Sequence, residues 1–271
     1  MKANHELSST RKYPIVSDYK LSFTLIFQNF IPIFIVLAIG VVLMEILDYF
    51  LLDVLFHELN LVQNTWLHQI IYVLCKLPGD AIFYGFFGVC MGLCSDIMTS
   101  GDEFTQITRF PYYLRKYWLK FVLLCLLINF PFYLSYFIPQ PWFNLGIFIF
   151  LWILAHFIYY FLVEINPGLI QRSKVLEAIK DNIILLKSQF IRILITFGII
   201  SIVFSGPLLI MRSLILFGGK SPEEIRQLEL FHRIYTYIKI FIGHPLNAFL
   251  SIGIYNENIV FPLLQNKEKL N

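Results

Sequence analysis

The sequence predicts an all-α, polytopic integral membrane protein with six transmembrane helices. Three observations predict it. Of 271 residues, 58% are hydrophobic and 14% charged, where soluble domains run near about 45–50% and about 25%. Six stretches have a span's length and apolarity, about 20 residues: 21–47, 69–97, 118–138, 142–164, 191–217 and 237–262. Lys and Arg crowd alternate connections and avoid the others, which orients the spans. One soluble core cannot absorb this apolar excess, because cores stop growing near this length. The 28 Phe and 15 Tyr suit lipid and its interface.

Residues 1–20 carry Lys2, Arg11, Lys12 and Lys20 and read as a cytoplasmic N-terminal segment. They lack the early apolar region and small-residue cleavage site of a secretory signal, so the first span, 21–47, is expected to stay. Residues 48–68 hold no Lys or Arg and are expected outside. The second span, 69–97, contains Lys76, Pro78, Gly79 and Asp80. Residues 97–120 return to the cytoplasm with Arg109, Arg115, Lys116 and Lys120. The third and fourth spans are joined by 139–141, which has no base. Residues 165–192 carry Arg172, Lys174, Lys180, Lys187 and Arg192. The sixth span closes a single membrane domain, 21–262, before a cytoplasmic tail, 263–271. The expected location is the cell membrane, multi-pass, with both termini cytoplasmic.

Residues 212–239 break the alternation. Arg212, Lys220, Arg226, Arg233 and Lys239 fall where six spans place the outside, with Glu223, Glu224 and Glu229 among them. Ser221, Pro222 and Glu224 have the spacing of a helix start with a capping box. The segment is read as an amphipathic helix on the outer surface or as the start of a long sixth span. Five spans is the alternative.

The odd spans open on similar lines: "NFIPIFIV" from Asn29, "YWLKFVLL" from Tyr117 and "QFIRILIT" from Gln189. Each follows a segment of mixed polarity. In the third, Val175, Leu176, Ile179, Ile183 and Leu186 recur at helical spacing among charged residues, the pattern of a helix lying in the interface. The even spans end near an acid: Asp96, Glu164 and Glu257. The chain is thus expected to be three repeats, each an interfacial helix plus a helical hairpin. Low Gly and Ala content among so many Phe and Ile predicts loose helix packing through large side chains.

Three stretches, "YKLSFTLIFQNFIPIF", "SGDEFTQITRFPYYLRKYWLKFVLL" and "YYFLVEINPGLIQRSKVLEAIKDNIILLKSQFIRIL", resemble a broad family of bacterial and archaeal six-span membrane proteins. That family includes the membrane domain attached to some glycerophosphodiester phosphodiesterases and stand-alone relatives. The resemblance covers most of 15–260 and implies the six-helix fold. It carries no catalytic residues, and the soluble phosphodiesterase part has no counterpart here. The basic segment 212–239 departs from the family pattern.

The net charge of +3 is dispersed, which argues against nucleic acid. Cys75, Cys90, Cys94 and Cys125 lie in apolar stretches without ligand spacing, so no metal or other cofactor is expected. No phosphate-binding loop, dinucleotide fingerprint or nucleophile elbow occurs. The chain is therefore read as non-enzymatic, interacting with lipid or organising a membrane assembly. Arg115, Lys116, Lys174, Lys180 and Lys187 are the candidate contacts for anionic phospholipid headgroups at the cytoplasmic face. A homo-oligomer or a partner membrane subunit is left open. The alternative is a transporter or permease subunit, its path lined by Lys76, Asp80, His156 and Glu164. The bland reading of Lys76 is an interfacial helix over 69–78, with the span beginning near Gly79. Glu45, Asp48, Asp53, His57 and Glu58 form an acidic patch, and "GHPLNAF" places His244 and Asn247 in the last span.

Overall fold

The computed structural model describes residues 14–59, 66–100, 109–136, 166–172, 174–217 and 221–263. The fourth expected span, 142–164, lies outside the described residues, and with it His156 and Glu164. Among the described residues the protein is helical, with no strand. In chain order the helices are α1 (Pro14–Gln28), α2 (Phe30–Asp48), α3 (Trp66–Ser100), α4 (Phe110–Tyr136), α5 (Gly168–Gln171), α6 (Val175–Ile200), α7 (Gly206–Phe217), α8 (Pro222–Ile238) and α9 (His244–Tyr255). Wider π turns extend α2 over Tyr49–Phe56 and α9 over Asn256–Val260. Others join α6 to α7 over Ser201–Ser205 and α8 to α9 over Lys239–Gly243.

Four continuous runs are long and apolar enough to cross a membrane: Phe30–Phe56, Ile70–Thr99, Val175–Leu208 and Pro222–Leu263. The shortest has 27 residues. At the α-helical rise that is about 40 Å, against about 30 Å of hydrocarbon. These runs are consistent with a multi-pass membrane protein. The chain divides into two compact units, one of residues 1–28 and 184–271, the other of 29–183.

The first expected span differs at both ends. A break at Asn29, with φ −114° and ψ 27°, separates α1 from α2. Its cause is local. Pro32 has no N–H for the Gln28 carbonyl, and its ring would clash there, so the helix restarts with Pro32 in its first turn. At the other end the helix runs on through Phe56, where a loop was expected, because "YFLLDVLF" is itself apolar. The second span is one helix through Pro78, without a separate interfacial piece over 69–78.

The same break recurs inside α6 at Gln189, with φ −124° and ψ 26°. Asn29 and Gln189 are 160 residues apart, and burial repeats at that offset. Ile33 and Ile193, Val36 and Thr196, and Leu37 and Phe197 are all buried. So are Ser22 and Asn182 before the breaks. Tyr117, the third aligned position, lies within α4.

Packing within the second unit corrects the expectation of loose contact. Gly85, Gly88 and Gly92 of α3 lie under Trp118, Phe121 and Tyr117 of α4. A Cβ on Gly88 would come within 2.3 Å of the Phe121 ring. Few glycines are needed when each receives one aromatic ring. Gly40 of α2 takes Phe86 in the same way.

The capping box at Ser221 and Glu224 forms as its spacing predicts, with Pro222 in the first turn. The helix then continues for 42 residues, Pro222–Leu263. Segment 212–239 thus holds the end of α7 and the start of the last long helix.

Candidate functional site

In the first unit, polar groups converge just past the Gln189 break. Arg192 donates to Asp18 of α1 at 2.6 and 3.2 Å. It also donates to Glu257, at the end of the last helix, at 2.9 Å. Its side chain is 13% exposed and that of Asp18 is 11%. Gln189 donates to Asn258 at 3.0 Å. The Tyr19 hydroxyl donates to the Thr196 carbonyl at 2.6 Å. Burial pushes the Tyr19 phenol up to about 12, so it stays a donor at any ordinary pH. Three helices are thereby pinned at one level, the entry of α6 into its apolar run. Sequence reasoning named Glu257 as an acid ending a span and counted Arg192 as a loop base. It missed Asp18, for which a buried face of α1 was the only signal.

In the second unit a smaller polar group forms at the end of α3. Asp96 accepts from the Tyr113 hydroxyl at 2.5 Å and pairs with Arg109 at 3.6 Å. Burial, then the Asp96 carboxylate, push the Tyr113 phenol up. Asp96 and Glu257 each pair with an Arg, but Arg109 is 60% exposed and Arg192 13%.

Lys76 and Asp80, predicted as a pair, are 3.4 Å apart. The structure adds Asp48 of α2, which accepts from the Lys76 ammonium. Asp48 Oδ1 lies against Gly79, where a Cβ would come within 2.3 Å. The absence of a side chain at Gly79 therefore makes room for the pair. Two features read separately in the sequence, an acidic patch and an i,i+4 pair, form one cluster. His57 is not hydrogen-bonded into it; the adjacent Phe56 packs edge-on against His68 and Tyr72.

The candidate interface cations are all exposed: Arg115, Lys116, Lys174, Lys180 and Lys187. Lys174 pairs with Glu177 at 3.6 Å. Lys116 donates to the Tyr112 hydroxyl at 2.8 Å and lies 5.1 Å from the ring centres of Tyr112 and Tyr117. The Tyr112 hydrogen bond holds its ammonium above the usual lysine range. Lys120 differs, since it donates to the carbonyls of Leu169 and Arg172 and so closes α5.

The helices before the two breaks bury polar groups beside apolar ones (Ile26, Ala178 and Leu185) and leave several large apolar side chains exposed. On α1, Asp18 and Ser22 face in, while Val16 and Phe27 are 68% and 74% exposed. On α6, Asp181 and Asn182 are buried and Leu176 is 74% exposed. One lysine sits at the same place in both outward stripes, Lys20 in Val16, Lys20, Phe23 and Phe27 on α1, and Lys180 in Leu176, Lys180, Ile183 and Lys187 on α6, where Lys187 stands at the place of Phe27. Asp181 accepts from the half-exposed Arg172 at 2.7 Å.

One polar row was underweighted in the sequence. His244, Asn247 and Ser251 are all buried on α9, spaced at i, i+3 and i+7. Among the described residues no group of three or more His, Cys, Asp or Glu has the geometry to hold a metal ion. No family model, curated protein or solved structure matches the chain.

Proposed function

We propose that the chain is a non-enzymatic, multi-pass membrane protein that binds anionic lipid at its cytoplasmic face or organises a membrane assembly there. The observation that carries this reading is the pair of outward stripes, Val16–Lys20–Phe23–Phe27 and Leu176–Lys180–Ile183–Lys187. Water is a poor solvent for such a surface. An acyl-chain boundary is a good one, with lysine stems lying along it and ammonium groups reaching the headgroups. Each such cation near an anionic surface contributes about 1 kcal/mol. The buried polar groups beneath hold the helices to the protein, so the apolar faces remain outward. Arg115, Lys116 and Lys174 are the further candidate contacts, each exposed.

The finer topology belongs to the same proposal. Six spans, both termini cytoplasmic in the cell membrane, and three interfacial-helix-plus-hairpin repeats agree with the paired breaks and their common burial register. The breaks then mark the cytoplasmic boundary. From Asn29 to Asp48 is 19 residues, about 28 Å of helix. That places the Asp48–Lys76 pair at the far boundary rather than in mid-slab. The likeness to the membrane domain of the phosphodiesterases adds no activity to this proposal.

The test is native mass spectrometry of protein released from mild detergent, wild type against a Lys20→Gln/Lys180→Gln/Lys187→Gln variant. Wild type should retain anionic phospholipid and the variant should lose most of it. Equal retention would sink the reading. A second reading, a transporter or permease subunit, is favoured by the buried row His244, Asn247 and Ser251 together with the Lys76 cluster. A bound non-lipid solute in the same spectra would put it first.

A further inference from the structure

The last helix is too long for one crossing. Its 42 residues make about 63 Å, twice the hydrocarbon thickness. Glu257, bonded to Arg192 three residues past the break, sets one boundary. Counting about 20 residues back puts the other near Tyr237, so most of α8 stands beyond the far boundary. No residue of α8 is buried. Up to Tyr235 its half-buried positions are Ile225, Leu228, His232 and Tyr235, which share one helix face. The Tyr235 hydroxyl ties that face to the Val203 carbonyl at 2.6 Å. Glu223, Arg226, Glu229, Leu230 and Arg233 stand on another face, and all are exposed.

That second face borders an open cleft of about 900 Å³, which Ile215 of α7 also lines. With His232 neutral, the two acids and two arginines in its described lining cancel. The cleft therefore offers an anion no net attraction. What it offers is order. Outward from Tyr237 the signs alternate at Arg233, Glu229, Arg226 and Glu223, about one turn apart. Spacings of three and four residues ordinarily pair opposite charges on a helix. Yet none of these four makes an ion pair or hydrogen bond among the described residues. Inward of Arg233, Ile234, Ile238 and Ile242 recur every four residues, and all are exposed. Arg233 is four residues beyond Tyr237, about 6 Å along the axis, the depth of a headgroup phosphate. Glu229 is one step of the same size further out.

The geometry points to a site on the far face for a zwitterionic phospholipid that ends in a primary amine, phosphatidylethanolamine. In such a lipid the acyl chains, the phosphate and the ammonium follow one another outward. The helix presents a partner for each in the same order: the isoleucine row, Arg233, then Glu229. A planar guanidinium fork suits phosphate oxygens. A primary ammonium has three N–H donors for a carboxylate. Choline has none, and a glycerol headgroup brings Glu229 no cation, so Glu229 selects the amine. Leu230 and Ile215 flank the carbon link between the two charges. Arg226 and Glu223 stand seven and six residues further out than Arg233 and Glu229, about 10 Å, beyond the reach of one headgroup. The far-face placement rests on the topology proposed above; the cleft and its alternating charges do not.

The experiment compares full-length protein with an inner-pair variant, Glu229→Gln/Arg233→Gln, and an outer-pair variant, Glu223→Gln/Arg226→Gln. Lipid copies retained in native mass spectra and thermal stabilisation are the readouts. The probes are phosphatidylethanolamine, phosphatidylcholine, phosphatidylglycerol and soluble glycerophosphoethanolamine. Wild type and the outer-pair variant should each keep at least one phosphatidylethanolamine more than the inner-pair variant. That lipid should stabilise wild type by several degrees more than either other lipid, with the soluble headgroup ineffective alone. Equal retention by wild type and the inner-pair variant would overturn the site, as would an equal loss in the outer-pair variant. A preference of wild type for phosphatidylglycerol would overturn the zwitterionic assignment. Stabilisation by glycerophosphoethanolamine alone, lost in the inner-pair variant, would replace the membrane lipid by a free zwitterion. Glu229→Asp/Arg233→Lys guards against misfolding: it should recover most of the retained lipid. The Lys20→Gln/Lys180→Gln/Lys187→Gln variant separates the two proposals, because it should lose anionic lipid and keep phosphatidylethanolamine.

Discussion

The breaks at Asn29 and Gln189 share one backbone geometry and have different causes. Before Phe30 the cause is covalent: Pro32 cannot continue the helix back to Gln28. Before Phe190 the equivalent of Pro32 is Arg192, which has an N–H and no ring. That break is accompanied instead by side-chain contacts, Gln189 to Asn258 and Arg192 to Asp18 and Glu257. A feature that proline secures locally in one half is held by tertiary contact in the other. Substitution should therefore cost far more stability at the second break than at the first.

The largest effect is expected at Arg192. Arg192→Ala leaves Asp18 and Glu257 without their cation, and removing one partner of a buried pair costs about 3–5 kcal/mol. Thermal unfolding in lipid nanodiscs measures it. Arg192→Pro sharpens the comparison, since it supplies the other half's local device and removes the ion pairs. A loss as large as for Arg192→Ala would show that the pairs, not the break, carry the stability. Near-wild-type stability would show the reverse.

Asp18→Asn should cost less, about 1–2 kcal/mol, because Arg192 keeps Glu257 and an amide oxygen remains to accept. Faster proteolysis within α1 should accompany it, since Asp18 and Tyr19 are its polar anchors. Pro32→Ala is the counterpart on the first side. It restores an N–H for the Gln28 carbonyl, so stability should change by under about 1 kcal/mol. The Asn29 ¹³Cα shift should move toward the helical value. An unmoved shift would mean that tertiary contacts set this break too.

The same contrast explains what the sequence made legible. Features written within one turn of chain were readable: the Ser221–Glu224 capping box, the Lys76–Asp80 spacing and the likeness of the lines after Asn29 and Gln189. The break at Asn29 had its signal in Pro32, which marks a kink or span end within the apolar run of 21–47. Tyr49–Phe56 falls in the expected outer connection 48–68, but the run is apolar enough to stay helical. The Arg192 cluster was not legible, for its partners lie 174 and 65 residues away and no local pattern names them. Asp48 likewise joins Lys76 only because Gly79 lets α2 approach. The glycine row on α3 was outweighed in composition by Phe, although each glycine is matched to a ring.

An effect almost as small is the most discriminating for the second break. Gln189 occupies the one non-helical residue of α6, and its amide donates to Asn258 at 3.0 Å. Gln189→Ala removes that bond, worth about 1 kcal/mol, and places a strong helix former at the break. If side-chain contact alone bends the chain here, residue 189 should turn helical and its ¹³Cα shift should rise accordingly. If Arg192 is sufficient, the shift should stay non-helical while stability falls by the same small amount. In that case Gln189→Ala/Arg192→Ala should straighten α6, whereas Gln189→Ala/Arg192→Pro should keep the break. The sequence would then have reached one geometry by two independent devices, a ring at position 32 and an ion pair at position 192.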